Sequence, residues 1–416
     1  MMVLIAALVI GAFCSFYVKT QVGKGDFSAL HEASVHAFKT RTLDAESLGY
    51  YPPSGRPILM LFSLVPQPAT PIVWWLVSAG LHVLCLILVV QQMLPAKASD
   101  PLLLMTLIVF AMLPWYVSDL SGGNISPVML ASVVVAYVLY RRGWLWTSAT
   151  VLAVGIAVKF LPVFLIFFYI LKRKWNIFWR SVTTTIVIAF VPGILIFGAG
   201  QFINSWKTWN DSALARRTGN YMILESRGIS YINQSLANVL LHTLSPVSAG
   251  HHDKPFFVNI ADLSRTTIRN IWIAVVILSG VCWVWLLWPT KNDPPSLELA
   301  HFAFVCLPMV WFCPHVMSYY MTILMPAVAM LVWYVVEMAL GKVPALNSLR
   351  WLVGLYVVGC ALIGSVRARA YGNYLGIILV LAIALTVIAR RIRIAGRSAH
   401  APSAVSDGLP ATTASQ

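Results

Sequence analysis

The chain reads as an all-α polytopic membrane protein, and three observations predict it. Of its 416 residues, 59% are hydrophobic and only 10% charged, with a mean hydropathy of +0.80; a soluble domain carries roughly 25% charged residues. Apolar runs recur along the sequence that can cross about 30 Å of hydrocarbon, which takes roughly 20 residues in a helix. Lys and Arg fall mostly in alternate short connections, as the basic bias of short cytoplasmic loops requires.

In order, the runs are residues 3–18, 71–94, 101–117, 125–140, 181–198, 271–288, 299–312, 316–338, 351–365 and 374–389. Residues 144–171 are too long for one untilted span and are broken by Lys159 and Pro162, which predicts two short helices meeting near Lys159. The total is about twelve spans. Two larger segments, 19–70 and 200–270, then fall on the outer face, within one transmembrane domain of residues 1–394. Residues 395–416, rich in Ala, Ser, Thr and Pro, predict a disordered cytoplasmic tail.

With an inside N-terminus, the inner loops hold Lys97, Arg141, Arg142, Lys172 to Lys174, Arg180, Lys291, Lys342 and Arg350, and the tail holds Arg390, Arg391, Arg393 and Arg397. Arg367 and Arg369 are the exceptions, on an outer turn. This places both termini in the cytoplasm of a multi-pass plasma or inner membrane protein. The net charge of +15 then reflects topology and anionic membrane lipids, and no nucleic acid is implied. The first run lacks a basic n-region and a small-x-small cleavage site, and reads as an uncleaved span. Six scattered cysteines give neither a disulfide framework nor a zinc spacing.

Carboxylates are scarce, 14 in all. Among those on the outer face only Asp26 and Asp119 lie within a few residues of a span end, where a reactive group meets a lipid headgroup. Asp119 precedes a Ser-Gly-Gly turn and reads as an Asx-type turn residue. Asp26 reads as the N-cap of a short interfacial helix over 27–38, as a general acid or base, or as both. Lys159 is costly in hydrocarbon unless it pairs with an anion, faces a cavity or snorkels. His315, with Tyr319 and Tyr320 one turn further on, suits a phosphate or an acceptor hydroxyl. Tyr50-Tyr51-Pro52-Pro53-Ser54-Gly55-Arg56 is turn-rich, and Arg56 offers a forked donor for phosphate. Arg227 lies upstream of Asn233-Gln234-Ser235 in the larger outer segment.

The ordered series Gly25-Asp26-Phe27, Tyr51-Pro52-Pro53, Gly123-Asn124-Ile125-Ser126-Pro127, Lys159-Phe160-Leu161-Pro162, Asn233-Gln234-Ser235 and Pro314-His315 with Tyr319-Tyr320 resembles glycosyltransferase family 87. That family lies in the GT-C superfamily and includes polyprenyl-phosphate-mannose-dependent mannosyltransferases. The resemblance runs from about residue 25 to 326. Where members often show Gly-Gln this chain has Gly123-Asn124, and Leu30 and His31 replace aromatic residues after the Asp-Phe pair.

The resemblance implies a GT-C-type helical bundle and inverting transfer of a hexose, mannose first, from a polyprenyl-phosphate sugar to a lipid or glycan hydroxyl on the outer face. Asp26 is then the general base, within reach of the acceptor hydroxyl. Lys159, His315, Arg56 and Arg227 are the expected partners of the departing phosphate. Tyr50, Tyr51, Asn124, Asn233, Gln234, Tyr319 and Tyr320 are expected to orient sugar or acceptor. No Asp-x-Asp pair occurs, so neither a metal nor a cofactor is expected. The competing readings are a secondary transporter, for which many spans and an intramembrane lysine are equally typical, and an envelope lipid flippase.

Overall fold

The computed structural model describes residues 2–23, 25–43, 51–66, 69–94, 100–217, 231–250, 254–289, 294–313 and 315–399. Among the described residues it is helical throughout, with seven helices long and apolar enough to cross a membrane and four shorter apolar ones.

The helices follow the apolar runs, and the residues flanking each run explain where they start. The first helix, α1 (Met2–Gln21), leads through a short turn to α2 (Asp26–Thr40). A compact stretch follows, of a 3-10 turn Pro53–Gly55, α3 (Arg56–Leu59) and a second 3-10 turn Met60–Leu64. Helix α4 (Thr70–Leu88) continues as a π-helical turn, Val89–Met93. Helix α5 (Pro101–Gly122) opens with Asp100, whose carboxylate accepts from the Leu102 amide at 2.9 Å, and with Pro101 in the first turn, where a missing N–H costs nothing. It closes on Gly123 at φ 65, with the Gly123 amide bonded to the Asp119 carbonyl at 3.0 Å, the left-handed cap that glycine adopts most readily. Helix α6 (Ser126–Arg141) restarts at once with a proline in its first turn.

Helices α7 (Leu145–Val158) and α8 (Phe164–Leu171) are the two short helices expected around Lys159. Lys159 itself is extended, and a 3-10 turn, Leu161–Val163, carries Pro162, whose ring cannot continue an α-helix past the break. After α9 (Trp175–Phe197), the segment 200–270, expected on the outer face, carries α10 (Ala199–Arg217) and α11 (Leu236–Leu244) among its described residues. The last part of the chain holds α12 (Arg265–Leu287), α13 (Pro295–Trp311), a 3-10 stretch Ser318–Leu324 running into α14 (Met325–Ala339), α15 (Asn347–Ala361), the short α16 (Val366–Ala370) and α17 (Asn373–Ala399). Helix α17 therefore continues five residues into the expected tail; residues 400–416 lie outside the described residues.

Helix α14 and the stretch before it form the axis. Nearly all of Ser318–Ala339 is buried, whereas α12 buries only Ile268 and Leu287. Small residues set how close the helices come. A Cβ on Gly155 of α7 would meet Ser132 Oγ of α6 at 2.0 Å, so these two helices touch almost backbone to side chain. Tyr356 of α15 donates to the Ala111 carbonyl of α5 at 2.9 Å, tying the two helices together.

The contacts sort the connections onto two ends. Lys19 Nζ donates to the Ser121 carbonyl at 3.2 Å, Trp74 Nε1 to the Gly123 carbonyl at 3.1 Å, and Gln234 Nε2 to the Arg369 carbonyl at 2.6 Å. At the other end Arg141 reaches the Gln92 carbonyl at 3.4 Å, Lys172 meets His301, and Lys342 pairs with Glu337 at 3.5 Å. These are the two sets that alternation of the runs separates.

Candidate active site

Asp26 is the first residue of α2, with Gly25 before it as the cap and no side-chain cap bond. The N-cap expectation is thus corrected. A carboxylate inside the first turn still gains from the helix dipole, but its oxygen is taken by a different partner. Asn124 Nδ2, on the turn between α5 and α6, donates to Asp26 Oδ2 at 2.5 Å. Asn124 is 2% exposed, and its own carbonyl accepts from Ser126 Oγ at 3.0 Å, which fixes the amide with its N–H groups toward the acid. The turn can approach α2 so closely because of Gly123: a Cβ there would lie 2.3 Å from the Phe16 ring and 2.9 Å from Phe27. Phe16 and Phe27 pack edge to face at 5.6 Å, and Phe27 lies against Trp74 at 5.5 Å. The half-buried acid is therefore held by an aromatic cluster on one side and an oriented amide on the other.

Lys159 is 7% exposed and lies in the same cluster. Its ammonium donates to the Tyr320 hydroxyl and stands 5.1 Å from the centre of the Tyr51 ring. It also feels the charges of Asp26 and Asp119. The snorkelling alternative does not apply, because the side chain turns inward. Tyr319, next to Tyr320 with ring centres 4.9 Å apart, interacts with Asp26 and Tyr51. Tyr51 is in turn beside Asn124, Asp26 and Arg56; burial first, and then the Asp26 charge, push its phenol well above the ordinary value, so it is an O–H donor at any physiological pH. Asp26, Tyr51, Asn124, Lys159, Tyr319 and Tyr320 come together from five separate stretches of chain.

The remaining expected residues take other positions. Arg56 is 2% exposed and sits behind the cluster, 3.4 Å from Ser34 Oγ; burial lowers it to about 10, still charged at neutral pH. Asn233 and Gln234 tie the larger outer segment to the stretch before the axis. Asn233 Oδ1 accepts from the Val316 amide at 3.0 Å, and the Gln234 amide donates to the Val316 carbonyl at 2.7 Å. Asn233 Nδ2 and Gln234 Oε1 are buried with no hydrogen-bond partner among the described residues. His315 is half-buried on that same stretch, and its carbonyl accepts from Cys313 Sγ at 3.1 Å. Tyr50 and Arg227 lie outside the described residues.

Asp119 is not a turn residue. It lies in the last turn of α5, 1% exposed, and pairs with His82 Nε2 of α4 at 3.0 Å. His82 escaped the sequence reading, although an imidazole in an otherwise apolar run is itself a signal, since ionisable groups in hydrocarbon need a partner. Arg369 is the second omission. It is half-buried with its guanidinium 4.6 Å from the Tyr231 ring centre, and its signal was its place as a basic exception on an outer turn.

A half-buried carboxylate beside an oriented amide can accept a proton from a hydroxyl brought within reach. A buried ammonium close by, framed by phenols, can stabilise negative charge as it develops. The model of glycosyltransferase family 87 matches residues 50–308, more than half of the chain. That stretch contains Tyr51, Asn124 and Lys159, while Asp26, His315, Tyr319 and Tyr320 lie outside it. Comparison with curated proteins and with solved structures gives no match.

Proposed function

The chain belongs to glycosyltransferase family 87 and is a multi-pass membrane glycosyltransferase; from that premise we propose that it moves a hexose, mannose first among them, from a polyprenyl-phosphate sugar to a hydroxyl of a lipid or glycan acceptor, with Asp26 as the general base. The acceptor oxygen attacks the anomeric carbon as its proton passes to Asp26. The bond between that carbon and the phosphate oxygen breaks, and the polyprenyl phosphate leaves with the electron pair. Attack opposite the leaving group inverts the anomeric centre.

One juxtaposition supports this reading best. Asp26, fixed by Asn124 at 2.5 Å, and Lys159, buried between Tyr51 and Tyr320, lie close enough to sense each other's charge. Asn124 holds one oxygen of the base and Tyr319 stands beside the same carboxylate, and the cation is placed for the leaving phosphate. Tyr51 and Tyr319 line the space between them and offer hydroxyls to sugar oxygens. His315, at the start of the axis stretch, is the further candidate for the phosphate. Asn233 and Gln234 hold that stretch in place, and Arg56 supports Tyr51 from behind. A site at the outer end, with both termini in the cytoplasm, fits a donor that travels in the membrane.

The test is transfer of radiolabelled mannose from polyprenyl-phosphate-mannose to membrane lipid extracts by purified protein in nanodiscs. Asp26→Asn is expected to fold and to lose activity by about 10² to 10⁴-fold, the usual contribution of a positioned acid or base. Turnover at the wild-type rate would remove Asp26 from this role.

A further inference from the structure

At the end of the bundle away from Asp26, a groove of about 1270 Å³ opens between α12, α13 and α17. Each helix gives it one stripe. Val281 and Val284 lie one turn apart on α12 and Trp288 follows at its C-cap, His301 comes from α13, and Arg390 and Arg393 lie one turn apart on α17. The wall is apolar and one end is basic; no carboxylate lines it among the described residues. Lys172 adds a further cation there, bonded to His301 Nδ1.

Depth places the basic end at a headgroup. Arg390 follows the start of α17 at Asn373 by 17 residues, about 26 Å along a helix axis. Asn373 belongs to the Asp26 end, where its amide donates to the Gly359 carbonyl at 2.8 Å. The guanidinium groups thus lie close to one hydrocarbon thickness from that end. A donor lipid whose phosphate reaches Asp26 cannot place the same phosphate here. The volume also exceeds the roughly 300–1,000 Å³ of small-molecule sites, and the groove opens sideways, since Ile277, Val281, Val284 and Trp285 of α12 are exposed.

We infer that this groove holds an anionic glycerophospholipid of the leaflet opposite the active site. Its phosphate accepts hydrogen bonds from Arg390 and Arg393, and an acyl chain lies along Val281 and Val284. Guanidinium forks match phosphate oxygens two at a time, Trp288 offers the indole typical of a membrane interface, and the apolar wall excludes water from the chain. The site needs no sugar transfer, so it stands or falls separately from the chemistry at Asp26.

Native mass spectrometry of the delipidated protein, after re-addition of phosphatidylglycerol or phosphatidylcholine, tests this. Wild-type protein is expected to retain phosphatidylglycerol in preference to phosphatidylcholine. Each arginine near an anionic headgroup is worth about fivefold in affinity, so the preference is expected to fall by roughly thirtyfold in the double variant Arg390→Gln/Arg393→Gln. Val281→Trp/Val284→Trp, which fills the groove and leaves both arginines, is expected to lose the bound lipid. Equal retention of the two lipids by wild type, an unchanged preference in the arginine variant, or lipid kept by the filled groove would each overturn the assignment. So would preferential retention of a polyprenyl phosphate over phosphatidylglycerol, which would make the groove a carrier-lipid site.

Discussion

Asn124 decides which way Asp26 faces. An amide N–H on a carboxylate at 2.5 Å lowers the freedom of the acid, and in the proposed reaction this positions the base for the acceptor hydroxyl. Hydrogen bonds to charged groups are worth about 1.5–3 kcal/mol, so Asn124→Ala is expected to lower kcat by about ten- to a hundredfold. The donor KM should change little if the amide acts through the base alone; a rise in KM with kcat intact would assign it to substrate binding. The sequence offered both residues, in Gly25-Asp26-Phe27 and Gly123-Asn124, but not their contact, because 98 positions separate them. Asp119 shows the opposite failure. Its local sequence is that of a turn, yet helix α5 runs on to Gly122 because the left-handed cap falls at Gly123, and a buried partner on α4 outweighs a local Asx turn.

Among the elements, the α6–α7 pair has the least room. A methyl group on Gly155 would overlap Ser132, and overpacking of this kind costs about 1–3 kcal/mol. Gly155→Ala is therefore expected to lower the unfolding temperature of the purified protein in detergent, and adding Ser132→Gly should recover part of the loss. No recovery would place the strain elsewhere. Helix positions were largely legible from the sequence, because apolar length and flanking Pro, Ser and Asp act over a few residues. Thus the break at Lys159 and the restart at Ser126 both appear where local chemistry put them. What local pattern could not give was the interior of the segments read as outer loops. Only α2 was expected there, as the helix over 27–38; α10 carries too many polar residues to stand out as an apolar run and α11 is only nine residues long, and Phe202 of α10 is fully buried beside Phe197 of α9.

At the scale of the whole molecule, one end carries the acid and its neighbours and the other carries Arg141, Lys172 and Lys342. Basic short loops favour the cytoplasm, so single cysteines placed in a cysteine-free background are expected to split cleanly. Ser121→Cys should react with an impermeant maleimide added outside intact cells, and Gly143→Cys should react only after permeabilisation. The reverse pattern would invert the topology and move the proposed site to the cytoplasmic face, where a lipid-linked donor has no advantage over a soluble one.

The hydrogen bond from Lys159 to the Tyr320 hydroxyl spans 161 positions of chain. A ribosome adds roughly 5–20 residues per second, so the lysine emerges roughly ten to thirty seconds before its phenol exists. For that interval a cation sits in a half-built bundle at the junction of two short helices, with no axis beside it. The first half of the protein is consequently the stage at which insertion is most exposed to error, and completion of Ser318–Ala339 closes it.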